Sequence, residues 1–304
     1  MSPAASIAES SGRRFAIPLA YALTAIAFAV LFAKPMAMLV SDWWNNPEAG
    51  HGLLLFPVAI WLAWKTGIRA ESRPSFGLGL LILIAGVLLR AVSDLAAERY
   101  TMRLAMVFAL AGLVILYWGV KQLLAWWLPF LLLTLSIPLP ELITSALALP
   151  LQFRASKLGA ALLEWRHVPV RLTGNILEIP GHRLFVTEAC SGLRSLTALM
   201  SVAVLTAGLW LRAPLMRILL VATAIPVAIL INGVRVFLTG FLVFFVDPKL
   251  GEGFLHLTEG WLLFLVSLLV VGAVTLVFRL AERIWGRRSR EVGGGRGEEG
   301  NAIV

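Results

Sequence analysis

The sequence predicts an all-α, polytopic membrane protein with about eight transmembrane helices, interfacial helices and a short outer β-hairpin before the sixth span. Three observations lead to this class. Of the 304 residues, 59% are hydrophobic and only 14% are charged, whereas soluble domains carry about 25% charged residues. Eight apolar runs follow one another, and helices satisfy their own backbone groups within lipid. The net charge of +9 lies mostly between these runs, which favours charge that orients loops against a bilayer over nucleic-acid binding.

The predicted spans are these eight apolar runs, of which the second, third and fifth are short. They cover residues 16–38, 52–68, 76–92, 104–120, 122–138, 191–211, 214–234 and 257–278. Because seven further runs follow the first, we do not expect it to be a cleaved signal peptide. A count of six would require a pair of the short spans to be merged or lost.

Basic residues between the spans predict the orientation. With eight spans, most of them fall on one side of the membrane: Arg13, Arg14, Lys65, Arg69, Arg73, Lys121, Arg212, Arg217, Arg279, Arg283, Arg287, Arg288 and Arg290. Positive residues concentrate on the cytoplasmic side, so both termini are predicted to be cytoplasmic. The 90–103 turn, which carries three arginines, breaks this pattern.

Residues 139–190 form the longest connection, and the count of spans places it outside. Its first part, 141–166, mixes Leu and Ala with charged residues, which predicts helices at the membrane interface. Its second part, 168–187, is rich in Val and Ile, and the pairs Gly174-Asn175 and Pro180-Gly181 mark turns, so we expect a hairpin that leads to Cys190. Residues 287–304 are charged and Gly-rich and are predicted to be a disordered cytoplasmic tail, after a single transmembrane domain at 1–286.

The single cysteine, Cys190, lies where the outer hairpin turns into the sixth span. A thiol at a helix N-terminus feels the positive end of the helix dipole, which lowers its pKa and raises the thiolate fraction. Arg194, four residues on, is predicted to share its helix face and to act in the same direction. The neighbours Glu188 and Ser191 are candidate supporting residues. The alternative is a packed cysteine beside a helix cap.

Two further positions carry polar residues near the predicted outer surface. Arg235, preceded by Asn232, is expected at the outer end of the seventh span. A charge there either has a functional role or extends its side chain along the interface toward water. His256 begins the eighth span, and its imidazole could accept a thiol proton or serve as an interfacial residue beside Trp261. His51 and His182 are supporting candidates, His182 as a reserve base.

Span parity places Cys190, Arg235 and His256 at one membrane face. A nucleophile, a base and an oxyanion donor are what acyl transfer requires. No metal or cofactor is expected, because the four histidines are scattered and the sequence lacks an HExxH motif, a P-loop, a dinucleotide fingerprint and a Gly-x-Ser-x-Gly elbow.

At these residues the sequence resembles the exosortase/archaeosortase family. The family's Cys-Ser-Gly, Asn-x-x-Arg and His-x-x-x-Gly blocks correspond to Cys190-Ser191-Gly192, Asn232 to Arg235, and His256 to Gly260. The pair His51-Gly52, after Asp42-Trp43-Trp44, is also similar, although Ala49-Gly50 replaces the usual Tyr-Ser.

The resemblance implies a cysteine protease and transpeptidase of the bacterial inner membrane with its active site on the periplasmic side. Its partners would be secreted proteins with a C-terminal tripartite tail, made of a short motif such as Pro-Glu-Pro, a transmembrane helix and a basic cluster. The enzyme would cut at the motif and transfer the new carboxyl end to an acceptor, in systems linked to exopolysaccharide production. Cys190 would be the nucleophile, His256 the base and Arg235 the oxyanion donor.

Three alternatives remain open at the level of the sequence. A transport component for polysaccharide would use Arg235 and His256 to line a polar path, but no inverted repeat is found. An assembly scaffold would have no catalysis and an unreactive Cys190. A serine protease would use Ser191 or Ser195.

Overall fold

The computed structural model of the protein describes residues 19–46, 48–186, 193–247 and 253–298, and the side chains of 253–261 and 286–298 are not described. The chain forms two compact units, one of residues up to 46 with 66–126 and the other of residues 47–65 with the chain from 127 onward. The described residues are mostly helical and include one small sheet. The helices are α1 (Leu19–Leu31), α2 (Ala33–Asn45), α3 (Gly52–Thr66), α4 (Phe76–Leu95), α5 (Arg99–Trp118), α6 (Val120–Ala125), α7 (Trp127–Leu135), α8 (Glu141–Trp165), α9 (Leu193–Trp210), α10 (Pro214–Phe245) and α11 (Gly253–Glu298).

The first unit is built on the antiparallel pair of α4 and α5. Gly79, Gly86 and Gly112 lie where the two helices approach most closely, and a Cβ at Gly79 would collide with the backbone of Leu116. Small residues permit such close packing between membrane helices, where van der Waals contact replaces the hydrophobic effect.

The first predicted span, 16–38, differs from the structure. It is divided into α1 and α2, which meet at an angle of 63°. Beyond the bend, Lys34 donates to Asp94 over 2.8 Å and Arg103 donates to Asp42. These ion pairs hold α2 across the ends of α4 and α5.

Ion pairs account for two of the three arginines of the 90–103 turn. Arg103 is almost fully buried and pairs with Asp42, while Arg90 lies 3.4 Å from Asp94. Burial raises the pKa of Glu98, but hydrogen bonds from Thr101 and from the Tyr100 N–H outweigh it and hold that pKa below its ordinary value. Charges neutralised within the fold do not orient a loop, so Arg90 and Arg103 depart from the pattern of basic residues for a structural reason.

The fifth predicted span, 122–138, is also divided. The fully buried Gln122 accepts hydrogen bonds from the N–H of Arg69 and from the Ser72 hydroxyl, and it donates to the carbonyl of Gly67. Trp126, where α6 gives way to α7, donates to the same carbonyl over 3.2 Å. The helix therefore breaks at a buried polar cluster within the first unit.

The described residues contain five helices long and apolar enough to cross a membrane, or six if α1 and α2 form one bent span. The chain is thus a multi-pass membrane protein, and the count of eight is not confirmed. The second predicted span corresponds to α3, which has only 15 residues. The domain bounds predicted at 1–286 and 287–304 stay a prediction; α11 continues to Glu298.

The second unit contains the sheet and the last three long helices. The sheet is a three-stranded antiparallel meander of β1 (Arg171–Thr173), β2 (Ile176–Ile179) and β3 (His182–Phe185), in place of a two-stranded hairpin. Turns at Gly174-Asn175 and Pro180-Gly181 connect the strands. Buried Leu177, Ile179 and Val186 pack with Ala155 and Leu163 of α8 and with Val236 of α10.

The region 141–166, for which interfacial helices are predicted, contains the helix α8. It is one continuous helix of 25 residues with Pro150 inside it. Glycines allow α8 and α10 to pack closely. Gly159 of α8 lies against Val236, and Gly233 of α10 lies against Leu158. Whether α8 lies at the membrane interface stays a prediction.

Candidate active site

The helix α10 carries the described part of the candidate site. Pro214 opens it, where the missing N–H of proline costs nothing. Arg235 lies 21 residues after Pro214, about 32 Å along the helix axis. The hydrocarbon core of a bilayer is about 30 Å thick. A span that begins at Pro214 would therefore leave the membrane near Arg235.

Three helices run alternately up and down around Arg235. At one end, the carboxylate of Glu282 on α11 accepts hydrogen bonds from the N–H groups of Arg212 and Ala213, at the turn between α9 and α10. At the other end, Ser195 of α9, Asn232 and Arg235 of α10, and Leu263 and Phe264 of α11 line one cleft. The first turn of α9, the part of α10 around Arg235 and the part of α11 around Leu263 therefore meet.

The cleft is small and mixed in character. Ser195, Asn232 and Arg235 supply its polar atoms, and the other lining residues are Ala228, Ile231, Leu263 and Phe264. Its volume of about 10 Å³ is enough for about one water molecule. Asn232 is buried, and Arg235 is half-buried. In such a site a guanidinium can stabilise an oxyanion more strongly than in water, because the local dielectric is low.

The predicted nucleophile and base are related to the cleft only by their positions in the sequence. Cys190, Glu188 and Ser191 lie outside the described residues, as does the side chain of His256. Cys190 comes three residues before α9 begins, and His256 is the fourth residue of α11. In the sequence both are therefore close to α9 and α11, whose described residues line the cleft, and the position of the Cys190 and His256 side chains at the site stays a prediction.

His51 lies in the same unit, immediately before α3. Its Nε2 is 3.2 Å from the carbonyl oxygen of Leu135 at the end of α7. Burial lowers the pKa of His51, against hydrogen bonds to the backbone of Leu135 and Glu48 that raise it. The imidazole is thus favoured in its neutral form and connects α3 to α7.

The other predicted supporting residues differ in their positions. Arg194 is exposed and does not line the cleft, whereas the next residue, Ser195, does. His182 begins β3, opposite Ile179, and is half-buried. Sequence reasoning did not identify Leu263 and Phe264 as part of the site. Their position seven and eight residues after His256, two helical turns on, is the signal that could have found them.

A second, larger cavity lies between α7, α9 and α10. It has a volume of about 570 Å³ and is lined by apolar side chains together with Arg217. The guanidinium of Arg217 donates to the carbonyl of Leu211 and lies 5.1 Å from the Trp127 ring. This groove offers an apolar surface and no group suited to acyl transfer.

The chain matches one protein family. Residues 43–273 match the family described as transmembrane exosortase. The matched range covers more than half of the chain and contains every candidate site residue. No curated protein and no solved structure matches the chain. Among the described residues, no group of three or more His, Cys, Asp and Glu side chains could hold a metal ion.

Proposed function

Because the chain belongs to the transmembrane exosortase family, we propose that it is a membrane-embedded cysteine protease and transpeptidase. It cleaves the C-terminal sorting tails of secreted proteins and transfers the new carboxyl end to an acceptor. The observation that carries this proposal is the cleft where Ser195, Asn232 and Arg235 meet the beginning of α11. In the sequence, Cys190 precedes α9 by three residues and His256 is the fourth residue of α11, and described residues of both helices line this cleft.

The mechanism assigns one role to each of three residues. The Cys190 thiolate attacks the scissile carbonyl carbon, and His256 holds the proton taken from the thiol. The tetrahedral oxyanion lies against the Arg235 guanidinium. When the C–N bond breaks, His256 protonates the leaving amine and a thioester remains on Cys190. An amine, hydroxyl or water then attacks the thioester, and the thiol is restored.

The position of Arg235 along α10 supports a substrate held in the membrane. A tail helix beside the enzyme would present the motif at its outer end at the level of Arg235, about 32 Å from the other end of the span. The basic residues near the α9–α10 turn favour the cytoplasmic side for that turn. We therefore place the protein in the bacterial inner membrane, with both termini in the cytoplasm and the active site on the periplasmic side.

The alternative is a transport or assembly component of an exopolysaccharide export system without peptidase activity. A saccharide path needs a polar conduit of substantial width. In the described part of the chain, the cleft at Arg235 holds about 10 Å³ and the groove of about 570 Å³ is apolar. The apolar lining of the larger groove does not suit a saccharide.

The test is cleavage of a membrane-anchored reporter that carries a Pro-Glu-Pro motif, one transmembrane helix and a basic cluster. Wild type should shorten the reporter, and Cys190→Ala should leave it intact while inserting into the membrane normally. A rapid reaction of Cys190 with a membrane-impermeant thiol reagent at neutral pH would be expected of a thiolate. Continued processing by Cys190→Ala would exclude the thiol mechanism and would favour Ser191 or Ser195 as the nucleophile instead.

A further inference from the structure

The strand β3 is an edge strand that leads directly to the predicted nucleophile. In the sheet order β1-β2-β3, it has a partner strand on the β2 side only among the residues that the structure describes. Phe185 at its end is five residues before Cys190, so the strand lies within about 17 Å of chain from the thiol. An edge strand presents unpaired backbone groups to which another chain can add.

The ladder between β2 and β3 shows which backbone groups of β3 point outward. Beyond the strand, the N–H of Val186 donates to the carbonyl of Asn175 over 3.0 Å, in continuation of the ladder. Backbone groups of an antiparallel strand alternate in direction, so those of Leu184 also face β2. The N–H and C=O of Arg183 and Phe185 then face away from β2. Within the described ranges, neither residue makes a backbone hydrogen bond outside the sheet.

The placement of the sheet directs this edge toward the site. Leu184 lies near Gly240 of α10. The side chain of Asn175 donates to the carbonyl of Val186 over 3.0 Å and reaches Gln152 of α8 over 3.4 Å. Since α8 and α10 run in the same direction in contact, the Val186 end of β3 lies toward the part of α10 that carries Arg235.

The exposed face of the sheet carries a row of alternating charges. Arg171 of β1 is opposite Glu178 of β2, and Glu178 is opposite Arg183 of β3. The Arg183 Nε lies 3.3 Å from a carboxylate oxygen of Glu178. Opposite charges in register stabilise neighbouring strands, and like charges destabilise them. The next position in this row, beyond Arg183, therefore favours an acidic side chain.

We propose that the extended motif of the substrate adds to β3 as a fourth strand, with an acidic residue of the motif in register with Arg183. This inference rests on the proposed function. The backbone of Arg183 and Phe185 supplies the hydrogen bonds, and the charge of Arg183 selects the acidic residue. Strand addition delivers the chain toward Cys190 in the extended conformation in which its scissile bond is accessible.

The first experiment removes one outward N–H of β3. Phe185→Pro lacks this donor, and proline is tolerated in an edge strand where the N–H faces outward. Phe185→Ala loses the ring and keeps the N–H, so it is the matched control. In mixed micelles with the Pro-Glu-Pro reporter, Phe185→Pro should raise the KM about 3- to 10-fold with little change in kcat. Phe185→Ala, which keeps the N–H, should raise the KM by less than Phe185→Pro does.

The second experiment reverses charges and does not depend on proline. Arg183→Glu should lower kcat/KM for the reporter by about 5-fold, and a reporter in which lysine replaces the motif glutamate should lose a similar factor with wild type. The two changes combined should recover activity. Recovery by the double reversal is an effect that a general loss of folding cannot produce.

The outcomes separate the inference from the function on which it rests. If the wild-type protein cleaves the reporter and neither Phe185→Pro nor Arg183→Glu changes the KM, strand addition is overturned and the protease proposal stands. No cleavage by wild type would overturn both. A photocrosslinker at position 185 should capture the reporter in the Cys190→Ala variant; capture of a second copy of this chain instead would identify the edge as a dimer contact and overturn the inference.

Discussion

At the residue scale, the spacing of Asn232 and Arg235 brings both side chains to one cleft. Three residues apart on α10, they share one helix face, and both line the cleft with Ser195. Burial of an amide or a guanidinium costs free energy unless its polar atoms form hydrogen bonds. Their shared position supports a role in binding the oxygen of the scissile carbonyl.

Arg235→Lys tests that role. Lysine retains the charge but lacks the planar, forked donor geometry of arginine. We expect the cleavage rate of the reporter to fall about 100-fold or more, as for the loss of an oxyanion donor, without loss of membrane insertion. Arg217→Lys, at the other end of the same helix, is the matched control and should cleave at close to the wild-type rate. Equal rates for the two variants would remove Arg235 from the mechanism.

His51 is a second residue with a defined environment. Its burial lowers its pKa from the ordinary value of 6.5, so the folded protein binds a proton at His51 less readily than the unfolded chain. The resulting stability is present above about pH 6.5 and declines as the pH falls below it. This sign follows from burial as the largest cause.

His51→Gln should remove this pH dependence. The glutamine Nε2 can donate to the Leu135 carbonyl but does not titrate. Between pH 8 and pH 5, the melting temperature of wild type in detergent should fall a few degrees further than that of His51→Gln. Parallel curves for the two proteins would show that protonation of His51 is not coupled to unfolding.

At the element scale, the pairing of α8 with α10 is the feature that holds the Arg235 segment. The charges Arg154, Lys157 and Glu164 predict interfacial helices, and the structure additionally packs α8 against α10 through close contacts at Gly159, Gly233 and Gly240. A glycine spacing of this kind allows helix backbones to approach. Local charge did not reveal this packing, because the partner helix is distant in sequence.

Gly159→Ala should loosen this pair. The added Cβ would meet the β-branched side chain of Val236, directly beside Arg235, and overpacking of this kind costs about 1–3 kcal/mol. We expect a lower melting temperature and slower cleavage. Gly272→Ala in α11 is the matched control, because its Cβ would meet no atom within 4 Å. The control should be neutral or stabilising by up to about 1 kcal/mol; a stable, active Gly159→Ala would show that the contact is not needed.

At the scale of the whole molecule, the alternation of α9, α10 and α11 decides which residues share a membrane face. Glu282 binds the α9–α10 turn at one end, and the cleft closes the other. The site and the sheet are thus assigned to one face and the basic turn to the opposite face. This assignment is what the proposed location of the active site requires.

Cysteine labelling tests the assignment. On the Cys190→Ala background, Arg171→Cys in β1 and Arg283→Cys in α11 each place a thiol at an exposed position. In intact spheroplasts, a membrane-impermeant maleimide should label position 171 and should label position 283 only after permeabilisation. The reverse pattern, or equal labelling of both positions, would contradict a periplasmic active site.

The sequence by itself determined that the chain is a multi-pass membrane protein of the exosortase family, because hydropathy and short motifs are local properties. It also predicted the turns at Gly174-Asn175 and Pro180-Gly181, where glycines adopt positive φ angles of 66° and 80°. Asn232 and Arg235 were predicted together, because a spacing of three residues places two side chains on the same face of a helix. The meeting of Cys190, Arg235 and His256 remains a prediction.

Only the tertiary structure decided where the apolar runs break and which neighbours complete the site. The bend between α1 and α2 depends on ion pairs from Lys34 and Asp42 to residues about 60 positions away, and the break at Trp126 depends on the carbonyl of Gly67. Hydropathy sums the transfer free energies of neighbouring residues and contains no such distant partners. Likewise, Ser195, Leu263 and Phe264 line the cleft because three helices pack together, a relation that no single segment of the sequence encodes.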